Sequence, residues 1–152
     1  MESVTDAART LLVACALSAA AATMFVARLR RLDPDSPARR IAELRAANAA
    51  ALVLAATGAA TIGFSVVHAG SATAALEMAF AFIFLGAAGW MFFREPREAL
   101  LIAAIALLAH AGVDLAHRPG LLSIDLFPGW YLIGCASYDG YIAALCFVAR
   151  RR

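Results

Sequence analysis

The chain has 152 residues, of which 63% are hydrophobic and 16% charged, with a formal net charge of +2. An average globular chain is roughly 45–50% apolar and about 25% charged, so an ordinary soluble domain is excluded. No basic patch interleaved with aromatics is present, and a nucleic-acid partner is excluded with it.

The apolar excess is gathered into five runs, over residues 10–27, 46–67, 73–93, 99–116 and 128–149. Each is close to the ~20 residues that cross a hydrocarbon core of about 30 Å. All five prolines (Pro34, Pro37, Pro96, Pro119, Pro128) fall between the runs or at an edge, as expected if the runs are helices, whose interiors exclude proline. The fold class is an all-α membrane protein. Residues 1–152 form one domain of five transmembrane helices in a compact antiparallel bundle.

In chain order, the first helix opens behind Thr5 and Asp6, either of which can cap it, and carries Ala14, Ser18 and Ala22 as a small-residue stripe for a neighbouring helix. Its flank is acidic (Glu2, Asp6) and its arginines follow the run, the reverse of a secretory signal peptide. The second helix begins near Ser36 or Pro37, and Ala38–Arg45 reads as a wet, charged extension below the membrane. Only His68 to Ala72 join the second and third runs, which forces them to be neighbours and places His68 near Glu77. The third run ends in Trp90, Phe92 and Phe93, an aromatic belt before Arg94. Residues 118–127 are too apolar for a plain solvent loop and read as an interfacial segment, with Trp130 and Tyr131 at headgroup level. Asp125 within it reads as solvated.

The chain has no lysine, so arginine alone carries the topology signal. Arg28, Arg30, Arg31, Arg39, Arg40, Arg45, Arg94, Arg97, Arg150, Arg151 and Arg152 fall on one side of a five-span arrangement, and Arg9 and Arg118 on the other. The positive-inside rule then puts the N-terminus outside and the C-terminus in the cytoplasm. The expected location is a bacterial cytoplasmic (inner) membrane, with the lipid bilayer itself as a partner.

Against this apolar background the ionisable residues stand out. His110, Asp114 and His117 are spaced i, i+4, i+7, within about 60° of one another on one helix face. Asp139 lies about 15 Å along its helix from Gly129, near mid-membrane, where an ionised group costs on the order of 2.5–3.5 kcal/mol. Imidazoles and carboxylates meeting in one pocket suit a transition metal (Zn, Fe or Cu), with His110, His117, His68 and Asp114 as its ligands or orienters. Asp139 and Glu77 are the candidate catalytic acid and base, and Tyr138 and Tyr131 the candidate cofactor contacts. A haem or chlorin held axially by His68 and His110 is the variant reading. The structural alternative is that these groups are helix-packing glue.

Other chemistries have less to stand on. Without lysine there is no retinal Schiff base. No serine sits in a nucleophile-elbow context, and no glycine-rich phosphate loop is present. Cys15, Cys135 and Cys146 lie singly in apolar runs and read as small hydrophobes. Proton-linked transport would need a polar continuation from Asp139 to the cytoplasm, which the letters do not offer. Two functions follow. One is a membrane-embedded metal or redox-cofactor protein acting on a hydrophobic small molecule. The other is a non-catalytic accessory or assembly subunit of a larger complex, its partner another membrane protein.

Overall fold

A computed structural model describes residues 2–117, 122 and 126–151, with side chains from residue 6 onward. Thr5 as a cap, Arg118, Asp125, Arg152 and much of the 118–127 segment lie outside the described side chains. The described chain is helical: α1 (Glu2–Arg30), α2 (Pro37–Val67), α3 (Ala72–Met91), α4 (Pro96–Ala116) and α5 (Gly129–Arg150). All five are long and apolar enough to cross a membrane.

The helix starts follow from local chemistry. Ser36 caps α2 by accepting from the Arg39 amide at 3.2 Å, with Pro37 in the first turn. Ser71 caps α3 by accepting from the Ala74 amide at 3.1 Å. Gly70 between them has φ +100°, a left-handed conformation that glycine adopts without steric penalty.

The principal core is built from Leu29, Leu54, Leu100 and Leu107 set among buried alanines such as Ala51, Ala103 and Ala143. Alanine lets helix axes approach closely, the device that replaces hydrophobic drive in a lipid environment. A close approach occurs at Gly58 on α2, where an added Cβ would stand 3.1 Å from the Ala81 carbonyl oxygen and 3.1 Å from Leu85 Cγ on α3. A Gly58→Val substitution is therefore expected to push α2 and α3 apart and cost about 1–3 kcal/mol by overpacking. Thermal unfolding in detergent measures this, and an unchanged midpoint contradicts it.

Helix α1 packs on α5 and more sparingly on α2, and leaves Leu12, Leu17 and Met24 exposed, as suits a lipid-facing helix. It begins at Glu2, ahead of the start expected behind Thr5. Helix α2 runs unbroken through the stretch expected to be wet, and that stretch is not wet throughout. Arg39 is 2% exposed and Glu43 4% exposed.

The reason is a clamp at the end of the bundle where α1 and α5 terminate. Arg39 donates from Nε to Glu43 Oε1 at 2.9 Å, from Nη1 to the Leu29 carbonyl at 2.8 Å, and from Nη2 to the Arg151 carbonyl at 3.1 Å. Arg97, at the start of α4, donates to the same Glu43 carboxylate from Nε (3.1 Å) and Nη2 (3.0 Å). The last carbonyls of a helix have no partner within it. One guanidinium here satisfies such groups from two helices while Glu43 neutralises it.

Candidate metal centre

The polar residues meet near the opposite end of the helices, and they form two groups. In the first, α4 supplies His110 and Asp114 one turn apart, and α5, packed against it, supplies Asp139. His110 Nδ1 lies 2.7 Å from Asp139 Oδ2 and 3.4 Å from Asp114 Oδ2. The shorter contact is a hydrogen bond, while the longer is an approach without hydrogen-bond geometry. One ligand atom from each of the three residues lies within 4.8 Å of the others. All three side chains are buried, Asp139 completely. Asp114 Oδ2 and Asp139 Oδ1 have no hydrogen-bond partner, an unusual state for buried carboxylate oxygens. The edge of Phe84 closes the apolar side, its centroid 4.9 Å from the His110 ring.

The second group is His117, at the C-cap of α4, and Glu77 of α3. His117 Nδ1 stands 2.9 Å from the Val113 carbonyl and Nε2 3.0 Å from Glu77 Oε1. A carbonyl only accepts, so Nδ1 carries its proton and donates it. The contact at Nε2 then holds one further proton, shared by the imidazole and the carboxyl. Phe127 packs edge-on against His117 at 5.2 Å and against Phe64 at 5.1 Å, and with Leu126, Leu132 and Ala74 it forms a small apolar cluster beside this pair.

Of the residues singled out from sequence, His110, Asp114 and Asp139 come together. His117 pairs with Glu77, and both of its ring nitrogens are engaged. His68 does not join either group. It is exposed and its Nδ1 donates to the Phe64 carbonyl of its own helix at 3.0 Å, so the short α2–α3 turn brings it near α3 without turning it inward. The axial arrangement of His68 and His110 about a tetrapyrrole is likewise not formed. Tyr138 and Tyr131 face elsewhere: Tyr138 Oη bonds Ser18 Oγ on α1 at 2.7 Å, and Tyr131 packs on Phe64 and Phe127. Sequence reasoning missed the Arg39–Glu43–Arg97 clamp, although the i, i+4 spacing of Arg39 and Glu43 was a readable hint.

Among the described residues no arginine pairs with His110, His117 or the three acids. Charge in this region must be balanced by protons on the imidazoles and carboxyls or by an added cation. Five helices long and apolar enough to cross a membrane, together with this buried His/Asp group, define the class: a membrane protein with a buried ionisable centre. No protein-family model, curated protein or solved structure matches the chain.

Proposed function

We propose that the protein holds a divalent transition metal, zinc or iron, between His110, Asp114 and Asp139, and acts there on a lipid-soluble molecule. The observation that carries this reading is the pair of partnerless oxygens, Asp114 Oδ2 and Asp139 Oδ1, beside His110. Two carboxylates and one neutral imidazole offset a divalent charge, so the loaded centre would be neutral, the state apolar surroundings tolerate. One nitrogen and two oxygen donors suit zinc or iron(II) better than copper(I), which favours thiolates and thioethers. Three protein ligands leave a position open for a substrate or water. In this reading Asp139 is a ligand, and Glu77 with His117 is the adjoining acid–base pair.

The arginine distribution supports the topology that goes with it. The helices would be arranged antiparallel in a compact bundle, the N-terminus outside and the C-terminus cytoplasmic in a bacterial inner membrane. The Arg39 clamp would then lie at the cytoplasmic end and the metal centre in the outer half.

Metal analysis of the purified protein after loading with zinc or iron(II) tests the proposal. A single ion per chain is expected for the wild type and for His68→Ala, and none for His110→Ala. Equal metal in the His110→Ala protein overturns the assignment. The accessory-subunit reading draws on a different observation: His110–Asp139 also ties α4 to α5, and His117–Glu77 ties α4 to α3. It predicts a metal-free cluster and co-purification with a larger complex.

A further inference from the structure

The three cysteines lie far apart in the sequence, yet helix packing brings two of them to one seam. Helices α1 and α5 run parallel, since Arg39 reaches the C-terminal ends of both. Two hydroxyl pairs fix their register: Ser18 Oγ with Tyr138 Oη at 2.7 Å, and Thr23 Oγ1 with Tyr141 Oη at 2.6 Å. The first pair sets each residue of α1 opposite the one 120 positions later on α5. At that offset Cys15 falls opposite Cys135, with Leu11 opposite Tyr131 before it and Ala22 opposite Ile142 beyond Ser18.

The intervals along this seam alternate between four and three residues, the spacing that keeps one helix face turned to a parallel neighbour. The cavities agree with it. Leu11, Cys15, Tyr131 and Cys135 all border one apolar groove of about 450 Å³ between α1, α2 and α5. Ser18, Ala22, Tyr138 and Ile142 border its continuation of about 400 Å³. Facing positions on such a seam are where Cβ atoms can approach to the roughly 4 Å that a disulfide requires. Both thiols are free and partly exposed, whereas Cys146 is buried. Helix α1 is also the least buried of the five membrane-length helices, so a covalent tie here would act on the most weakly held one.

We infer that Cys15 and Cys135 are a redox-active thiol pair that closes to a disulfide and fastens α1 to α5. The oxidant is an organic disulfide. Its S–S bond breaks, the bond between Cys15 Sγ and Cys135 Sγ forms, and the two thiol protons pass to the two donor sulfurs. The cysteines lose two electrons and the donor gains two. Cys135 lies about 9 Å along α5 from Gly129. On the orientation proposed above, the pair is then in the outer half of the membrane, next to a compartment where disulfides persist. The chemistry of the pair is independent of the metal centre.

Treatment of the reduced full chain in detergent with one equivalent of dithiodipyridine, a neutral lipid-soluble disulfide, tests the inference by intact-mass and peptide analysis. The expected product is a chain lighter by two hydrogens, with the segments around Cys15 and Cys135 joined and Cys146 unmodified. Cys146→Ala is expected to give the same product, and Cys15→Ala to keep a pyridyl adduct on Cys135 instead. The wild-type mass is read without any variant, so the result stands even where a variant misfolds. Pyridyl adducts that persist on both Cys15 and Cys135, no reaction at either, or a bond formed only between two chains overturns the assignment. The oxidised chain is also expected to unfold at a higher temperature than the reduced one, and dithiothreitol to reverse the gain. Equal midpoints overturn the fastening role.

Discussion

Arg39→Ala is expected to destabilise the protein by about 1.5–3 kcal/mol, the scale of losing hydrogen bonds made by a buried charged group. The substitution leaves Glu43 with Arg97 alone, whose guanidinium is partly exposed. It also strips donors from the Leu29 and Arg151 carbonyls at the ends of two helices. Arg39→Met combined with Glu43→Met is expected to recover a substantial part of the loss, because no buried charge is then left unpaired. Recovery stays incomplete because the Arg151 carbonyl loses its guanidinium donor, whereas the Leu29 carbonyl still accepts from the Leu32 amide at 3.2 Å and Arg97 can turn to water. Equilibrium unfolding in detergent measures all three proteins. An Arg39→Ala protein within about 0.5 kcal/mol of wild type, the range of an ordinary surface change, refutes the clamp.

The second large effect concerns the His110–Asp139 contact. Asp139→Leu is expected to lower metal affinity by more than about 100-fold, since losing even an outer-shell partner costs 10–100-fold. Its stability should also fall, because His110 loses its 2.7 Å partner. The double change His110→Leu with Asp139→Leu is expected to abolish metal binding while leaving stability equal to wild type or higher by about 1–4 kcal/mol, the usual outcome when well-packed apolar residues replace a buried ionic pair. That opposition of function and stability separates a working centre from packing glue. A double variant that loses several kcal/mol, in a protein that never bound metal, would assign the pair to packing.

Much of the helical architecture is legible in the linear order of residues. Crossing a bilayer demands about 20 apolar residues in a row and internal satisfaction of every backbone hydrogen bond, and both demands leave marks in a linear string. The runs, the prolines at their borders and the start of α2 near Ser36 are marks of this kind, whereas the Ser71 cap of α3 emerges only in the structure. The membership of the site is also largely visible, because an ionisable residue in such a run is conspicuous. His110 and Asp114 can be placed on one face by spacing alone.

Pairing across helices is not legible in the same way. Asp139 reads from sequence as a catalytic acid sharing a pocket with the histidines, but which histidine it meets does not follow from the letters, and the structure pairs it with His110 at 2.7 Å. His68, four residues from the start of α3, reads as a neighbour of Glu77 and is instead exposed and bonded to its own helix. Glu77 is taken by His117. Such outcomes depend on the rotation of each helix about its axis, which interhelical packing decides and which hydropathy does not encode in so uniformly apolar a chain. The burial of Arg39 follows the same rule, since only the convergence of α1, α2 and α5 brings the carbonyls of Leu29 and Arg151 to one guanidinium.

By itself, then, the order of residues determined that this chain forms five membrane-length helices and that a few histidines and acids lie within them, because hydropathy and helix periodicity are local properties. Only the tertiary structure decided that His110, Asp114 and Asp139 converge while His68 stands apart, and that an apolar groove opens beside α1. Those are properties of helix rotation and separation, set by contacts between residues as far apart as Ser18 and Tyr138.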